Sequence, residues 1–248
     1  MDLHDADEYC RQKTAPAGSG FYYSILFYPE QQRRDLRALH ALGIELEEII
    51  TECSDPGVVQ MKCAWWHDEI MRLYQNAARH PVTRALADVI SRQDIPRVQL
   101  QEIINFVAQA AMTPPPEIVS LSGTGPGLVW QLSASICGYE IPESMALAGE
   151  MGGQFSWFNN LQRVGTGLNP ATRLTDPERR LQIHNIHKTL SHHCAVFPRA
   201  DRHRLLHVLI MAHIIIRTCE SILRNDTSPV PTPLRKLWIA WRLHRRYH

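Results

Sequence analysis

Apolar positions recur at helical spacing along most of the chain, and the two-residue alternation of a half-buried strand is hard to find. The pattern predicts helices over about 5–14, 19–27, 30–53, 57–78, 80–92, 97–112, 121–138, 142–164, 177–197, 199–225 and 232–245. Pro29, Pro81, Pro96, Pro142, Pro177, Pro198 and Pro233 each sit where a helix starts, the position at which a missing N–H costs least. Thr113-Pro114-Pro115-Pro116 and the stretch from Asn225 to Pro231 break helices, and neither is long enough for a domain linker. The apolar run Val208–Ile216 is about half a membrane span and reads as a buried helix. With no internal repeat, an all-α single domain over 1–248 follows.

Composition changes this picture little. Hydrophobic residues at 44% and charged residues at 21% are ordinary for a soluble globular protein. Lys and Arg number 26 against 25 Asp and Glu, which gives no bulk reason to expect nucleic acid. Cys10, Cys53, Cys63, Cys137, Cys194 and Cys219 are scattered without a C-x-x-C pair, so they read as reduced, mostly buried thiols. The first eight residues are acidic and carry no apolar run, unlike a signal peptide. These features predict a cytoplasmic protein.

Candidate chemistry begins at residues 45–52, Glu-Leu-Glu-Glu-Ile-Ile-Thr-Glu, inside a strongly helical stretch. Glu45 and Glu48 share one helical face, and Glu47 and Thr51 share a neighbouring one. Carboxylates so spaced can hold a hard divalent cation that exchanges its waters for a phosphate. Closing such a site takes a second acidic pair on a facing helix, and the segment Asn159-Asn160-Leu161-Gln162-Arg163-Val164 carries no acid. Two readings of the acids stay open: a solvated face, and weak cation binding by Glu47 and Glu48. His184, His187, His192 and His193 have helical spacing but no matched carboxylate or thiol, so they read as exposed or hydrogen-bonded histidines. Gly123-Thr124-Gly125-Pro126-Gly127 lacks the lysine of a phosphate loop and reads as a helix N-terminal turn. Trp65 and Trp66 read as packing residues. From Pro233 to His248, Leu234, Leu237, Trp238, Trp241 and Tyr247 alternate with Arg235, Lys236, Arg242, Arg245 and Arg246. This basic amphipathic helix suits either a docking role with a solvated edge or peripheral contact with an anionic membrane.

Three strings carry a resemblance: Tyr9–Ala15 with Gly18–Ser24, Ala64–Ile70 with His80–Leu86, and Thr232–Arg242. They resemble the squalene/phytoene synthase family, in particular the bacterial hopanoid-pathway presqualene diphosphate synthases. The resemblance implies an isoprenoid-synthase-like helical bundle around a central apolar cavity. It implies two farnesyl diphosphates bridged by Mg2+ to two aspartate-rich helices, and head-to-head condensation, the work of a farnesyl-diphosphate farnesyltransferase. The family's first motif, Asp-Asp-x-x-Asp, falls on Glu47, Glu48 and Thr51, and a nearby arginine on Ile44. The second, Asp-x-x-x-Asp, falls on Val164 and Leu168, a helix glutamine on Trp157, and a tyrosine–arginine pair on the stretch 121–124. The basic segment after the second motif is shortened to 165–170. Ser19, Phe21, Tyr22, Asn160 and Arg163 are the substrate-binding positions implied, with Glu47 and Glu48 the only metal and catalytic candidates. The expectation is a catalytically degenerate protein in or beside squalene/hopanoid synthesis, binding a prenyl diphosphate or prenyl lipid or partnering an active synthase. The alternatives are a working synthase and a scaffold that reuses the fold.

Overall fold

The computed structural model describes residues 3–112, 125–139, 141–162, 174–226 and 228–247. Its helices are α1 (Leu3–Thr14), α2 (Gly20–Ser24), α3 (Glu30–Glu52), α4 (Pro56–Tyr74), α5 (Pro81–Gln93) and α6 (Arg97–Ala110). They continue with α7 (Gly125–Ile136), α8 (Pro142–Gln162), α9 (Asp176–Val196), α10 (Leu206–Leu223) and α11 (Pro233–Tyr247), with a 3-10 turn at Arg199–Asp201. Among the described residues there is no strand, as the apolar spacing predicts.

The centre is α3. Leu36, Leu39, Leu42, Leu46, Ile49 and Ile50 recur at three- and four-residue spacing and are all buried. Neighbours surround this helix: α1, α5, α6 and α7 all pack on it, and α7 in turn packs along α8. That last pairing is close because Gly152 lies against Trp130. A β-carbon at Gly152 would stand 2.2 Å from the indole Cδ1. On the far side, α10 contacts α2, α8, α9 and α11. By length and composition α10 could cross a membrane, yet just over half of it is buried inside the protein, in keeping with a core helix. All six cysteines are free thiols, and only Cys194 is not fully buried.

Three helix boundaries differ from the sequence pattern, each for a local reason. The helix predicted over 19–27 shortens to α2, because the chain must turn extended before Pro29. The one predicted to reach 78 stops at Tyr74, where Asn76 takes a left-handed conformation with φ 57°. The one predicted from 199 opens as a 3-10 turn, and α10 starts only at Leu206. The predicted segments 121–124 and 163–164 lie outside the described residues.

One buried carboxylate fixes the α4–α5 corner. Glu69 has no solvent exposure, and its Oε1 accepts from Arg79 N (2.7 Å), His80 N (2.8 Å) and Thr83 Oγ1 (2.5 Å). Its other oxygen accepts from Arg72 Nε at 2.8 Å. Burial alone would raise the Glu69 pKa, but these donors outweigh it and bring it down to about 2. A lowered folded-state pKa means the unfolded chain binds more protons in acid. The contribution of Glu69 is therefore complete above about pH 4.5 and drains away as pH falls toward 2. Glu69→Gln is expected to lose about 2–3 kcal/mol at pH 7, since charged hydrogen bonds carry roughly that much. Urea unfolding of the two proteins from pH 7 to pH 2.5 checks this, and the gap between them should narrow with acid.

Candidate functional site

The acidic run of α3 divides between two faces. Glu48 meets Lys13 Nζ at 2.5 Å, and Glu45 meets the same ammonium at 2.9 Å. Tyr9 Oη donates to Glu45 at 2.5 Å, so α1 covers this face with a lysine and a tyrosine. Burial, then the Glu45 hydrogen bond, push the Tyr9 phenol up to about 12. Burial works against the charge of Lys13, but its bonds to Glu48 and Glu45 prevail and hold its pKa above the ordinary 10.5. Next to this clamp, Glu45, Glu48 and Glu52 border a surface recess walled by Trp65, Trp66 and His80. The rings there pack edge to face, with Trp66 and His80 centroids 4.9 Å apart, as expected of packing residues.

Glu47 points elsewhere. Its carboxyl group accepts a short hydrogen bond from Ser156 Oγ on α8, across the mouth of a cavity. The cavity holds about 730 Å³ counting the part open to solvent. Its walls are mainly apolar: Phe21, Ile103, Phe106, Val129, Trp130, Phe155 and Met211, with Ile44 and Gly43 along α3. Polar groups are few, namely Thr14, His40, Glu47, Ser156 and Asn159. His40, Ile44 and Glu47 follow one another at four- and three-residue steps along one face of α3 and line the cavity with Gly43 and Leu46. His40 stands between Phe21 (4.4 Å) and Trp130 (4.5 Å), and its buried Nε2 has no hydrogen-bond partner among the described residues. Burial first, then His207 beyond Trp130, keep the His40 pKa far below the usual value, so this ring is neutral. Nothing in the residue pattern singles out His40 except its helical spacing from Glu47.

The other expected positions separate by role. Ser19 caps α2, accepting from Tyr22 N at 3.0 Å, while Phe21 reaches the cavity and Tyr22 packs on Tyr23. Asn160 is buried one turn beyond Ser156, whereas its exposed neighbour Asn159 lies at the cavity mouth. Trp157 turns away from the cavity to donate to Gln182 at 3.3 Å. Arg163, Val164 and Leu168 lie outside the described residues, as do 121–124 and 165–170. The four histidines of α9 do not converge: His187 meets Glu220 at 3.6 Å, and His193 meets Glu150 at 3.2 Å on another helix.

A magnesium ion asks for near-octahedral oxygen at about 2 Å and keeps several waters. Glu47 and Glu48 do not meet that demand together, because one faces Ser156 and the other is held by Lys13. Among the described residues no three His, Cys, Asp or Glu side chains gather to hold a metal. The described donors therefore do not fit a diphosphate-bridging magnesium cluster.

A squalene/phytoene synthase family model matches residues 14–122, a span that holds Ser19, the α3 acids and the Trp65-Trp66 string. Over these residues the chain is similar to the squalene/phytoene synthase family. Solved structures extend the fold likeness to the rest. A squalene synthase, HpnC, from Alicyclobacillus acidocaldarius is 16% identical with a TM-score of 0.59, covering 99% of this chain and 95% of its own. A dehydrosqualene synthase solved with a ligand is 12% identical with a TM-score of 0.68, covering 98% and 97%. No curated protein matches the chain.

The Lys13 clamp is open to a direct test. Lys13→Met leaves Glu45 and Glu48 side by side without their cation. A loss of about 1–3 kcal/mol in urea unfolding at pH 7 is expected, the usual scale for charge-assisted bonds at a half-buried site. Because the folded lysine pKa is raised, the wild-type advantage is complete below pH 10.5 and shrinks as pH climbs above it.

Proposed function

We propose that this chain is a catalytically degenerate squalene/phytoene synthase family protein that holds a prenyl chain in the α3–α7–α8 cavity, in or beside squalene/hopanoid synthesis. The observation that carries the reading is the divergence of Glu47 and Glu48, with Glu48 committed to Lys13. Head-to-head condensation starts with metal-assisted departure of diphosphate, and that departure needs converging oxygen ligands. The cavity beside Glu47 is mainly apolar and aromatic, which suits an isoprenoid tail whether or not anything reacts there. The protein then acts as a prenyl-lipid holder or as the partner of an active synthase.

Farnesyl diphosphate with magnesium, followed by product extraction, is expected to give no presqualene diphosphate. Calorimetry is expected to show no magnesium-dependent affinity in the micromolar range. Either signal would overturn the reading in favour of a working prenyltransferase using Glu47 and Glu48. Ile44→Trp, which fills the cavity from α3, is expected to weaken binding of a fluorescent prenyl probe at least tenfold with little change in melting temperature.

A second partner is the surface of an anionic membrane, met through α11. Leu234, Trp238 and Trp241 are 79%, 51% and 46% exposed on this helix. Arg242 stacks over Trp238 at 5.1 Å, and Arg245 over Trp241 at 5.3 Å. Tryptophans flanked by cations are the composition of helices that lie in the headgroup layer. Trp238→Ala with Trp241→Ala is expected to cut co-sedimentation with phosphatidylglycerol-containing vesicles several-fold, leaving the fold intact by circular dichroism.

A further inference from the structure

Behind the exposed face of α11 lies a cleft shared with α10. His213 and Arg217 stand one turn apart on α10, and Trp238, Arg242 and Arg246 follow at one-turn intervals on α11. Ile239 and Leu243 close the floor, and the space is about 560 Å³ counting the part open to solvent. Among the described residues no carboxylate lines it. Nearby, Glu220 meets Arg217 at 2.7 Å and also lies within reach of Arg224 (4.0 Å) and His187 (3.6 Å). Among the described residues neither Arg242 nor Arg246 has an ion-pair partner; they lie instead over Trp238 and Tyr247 at 5.1 and 5.7 Å. Burial holds His213 below its ordinary pKa against the hydrogen bond to the Leu209 carbonyl, and Arg217, Arg246 and Arg202 add smaller lowering contributions.

We propose that this cleft seats the phosphate of an anionic lipid headgroup. Three guanidinium groups around one concave space match phosphate geometry, since the planar fork of arginine bonds two oxygens at once. The lipid source follows from the surroundings. Trp238 is both a wall of the cleft and part of the exposed apolar edge with Leu234 and Trp241, so a phosphate held there lies at headgroup depth when that edge enters a bilayer. The inference rests on the membrane contact proposed above and adds to it a defined site.

The test compares two double variants of the full chain with equal loss of charge and one lost arginine–tryptophan stack each. Arg242→Gln with Arg246→Gln removes the cleft cations, and Arg235→Gln with Arg245→Gln removes cations outside it. Binding to phosphatidylcholine vesicles with and without phosphatidylglycerol is measured by co-sedimentation. The cleft variant is expected to bind the anionic vesicles at least tenfold more weakly than the control variant. Equal weakening by both variants overturns the site while leaving membrane contact standing. No binding of the wild type to either vesicle overturns the site and the membrane reading together. Inorganic phosphate supplies the remaining arm by calorimetry. Micromolar binding that is lost in the cleft variant, without any difference between the two variants on vesicles, overturns the lipid source.

Discussion

Residues adjacent on an α-helix point about 100° apart, because each turn holds 3.6 residues. Glu47 and Glu48 are adjacent, so they leave α3 in different directions. Glu48 falls on the face of Glu45, and α1 covers that face with Lys13 and Tyr9. Glu47 falls on the stripe of His40 and Ile44, which the packing of α3 against α7 turns inward. One cation from α1 holds both Glu48 and Glu45 on that face. A lysine between two carboxylates gains two charge-assisted bonds, and a divalent ion would have to displace it before binding.

The cavity walls depend on shape. Trp130 forms one wall, and its position depends on Gly152, where any side chain would strike the indole. On either side of Trp130 stands a buried neutral histidine. His207 is satisfied: its ring nitrogens lie 3.0 Å from Tyr28 Oη and 3.0 Å from Ser133 Oγ, and burial brings its pKa to about 3. His40 has no such partner at Nε2. The two rings sit in similar aromatic surroundings, so the difference marks the cavity side as the less self-sufficient one. Ser156 and Glu47 bond to each other at the mouth, and between mouth and His40 the stripe of α3 is apolar. Such a space accommodates a hydrocarbon tail far better than a diphosphate.

The helical architecture was legible because its signals are local. Apolar spacing and helix-starting prolines act within a few residues, and Pro81, Pro142, Pro177 and Pro233 all lie in the first turn of their helices. The two faces of the acidic run were legible for the same reason. What covers each face was not, since Lys13 and Ser156 are 35 and 109 residues distant in sequence from their glutamates. Nor could periodicity show that Ser19 serves as a cap or that Trp157 turns toward Gln182. Those outcomes depend on tertiary packing. The boundary of α10 shows the same limit at short range: a continuous apolar run predicts helix, but Pro198 and the buried Asp201, bonded to Ser144 at 2.5 Å, impose a 3-10 turn first.

The cavity and the basic cleft are joined by α10. Met211 lines the cavity and His213 lines the cleft, and two residues along a helix place side chains on nearly opposite faces. A helix is about 10 Å across, so one helix diameter separates the apolar cavity from the edge that α11 offers to a bilayer. Gly20 on α2 lies against Met211, with 3.3 Å between the methionine sulfur and the position of a β-carbon there. Methionine is the most adaptable of apolar side chains, and glycine leaves it room on that side. An isoprenoid is far more soluble in lipid than in water. A protein that holds such a chain gains by keeping its cavity close to the bilayer surface, since each step the apolar tail takes through water costs about 0.8 kcal/mol per exposed methylene. The arrangement of α2, α10 and α11 keeps the cavity one helix away from the exposed tryptophans of α11.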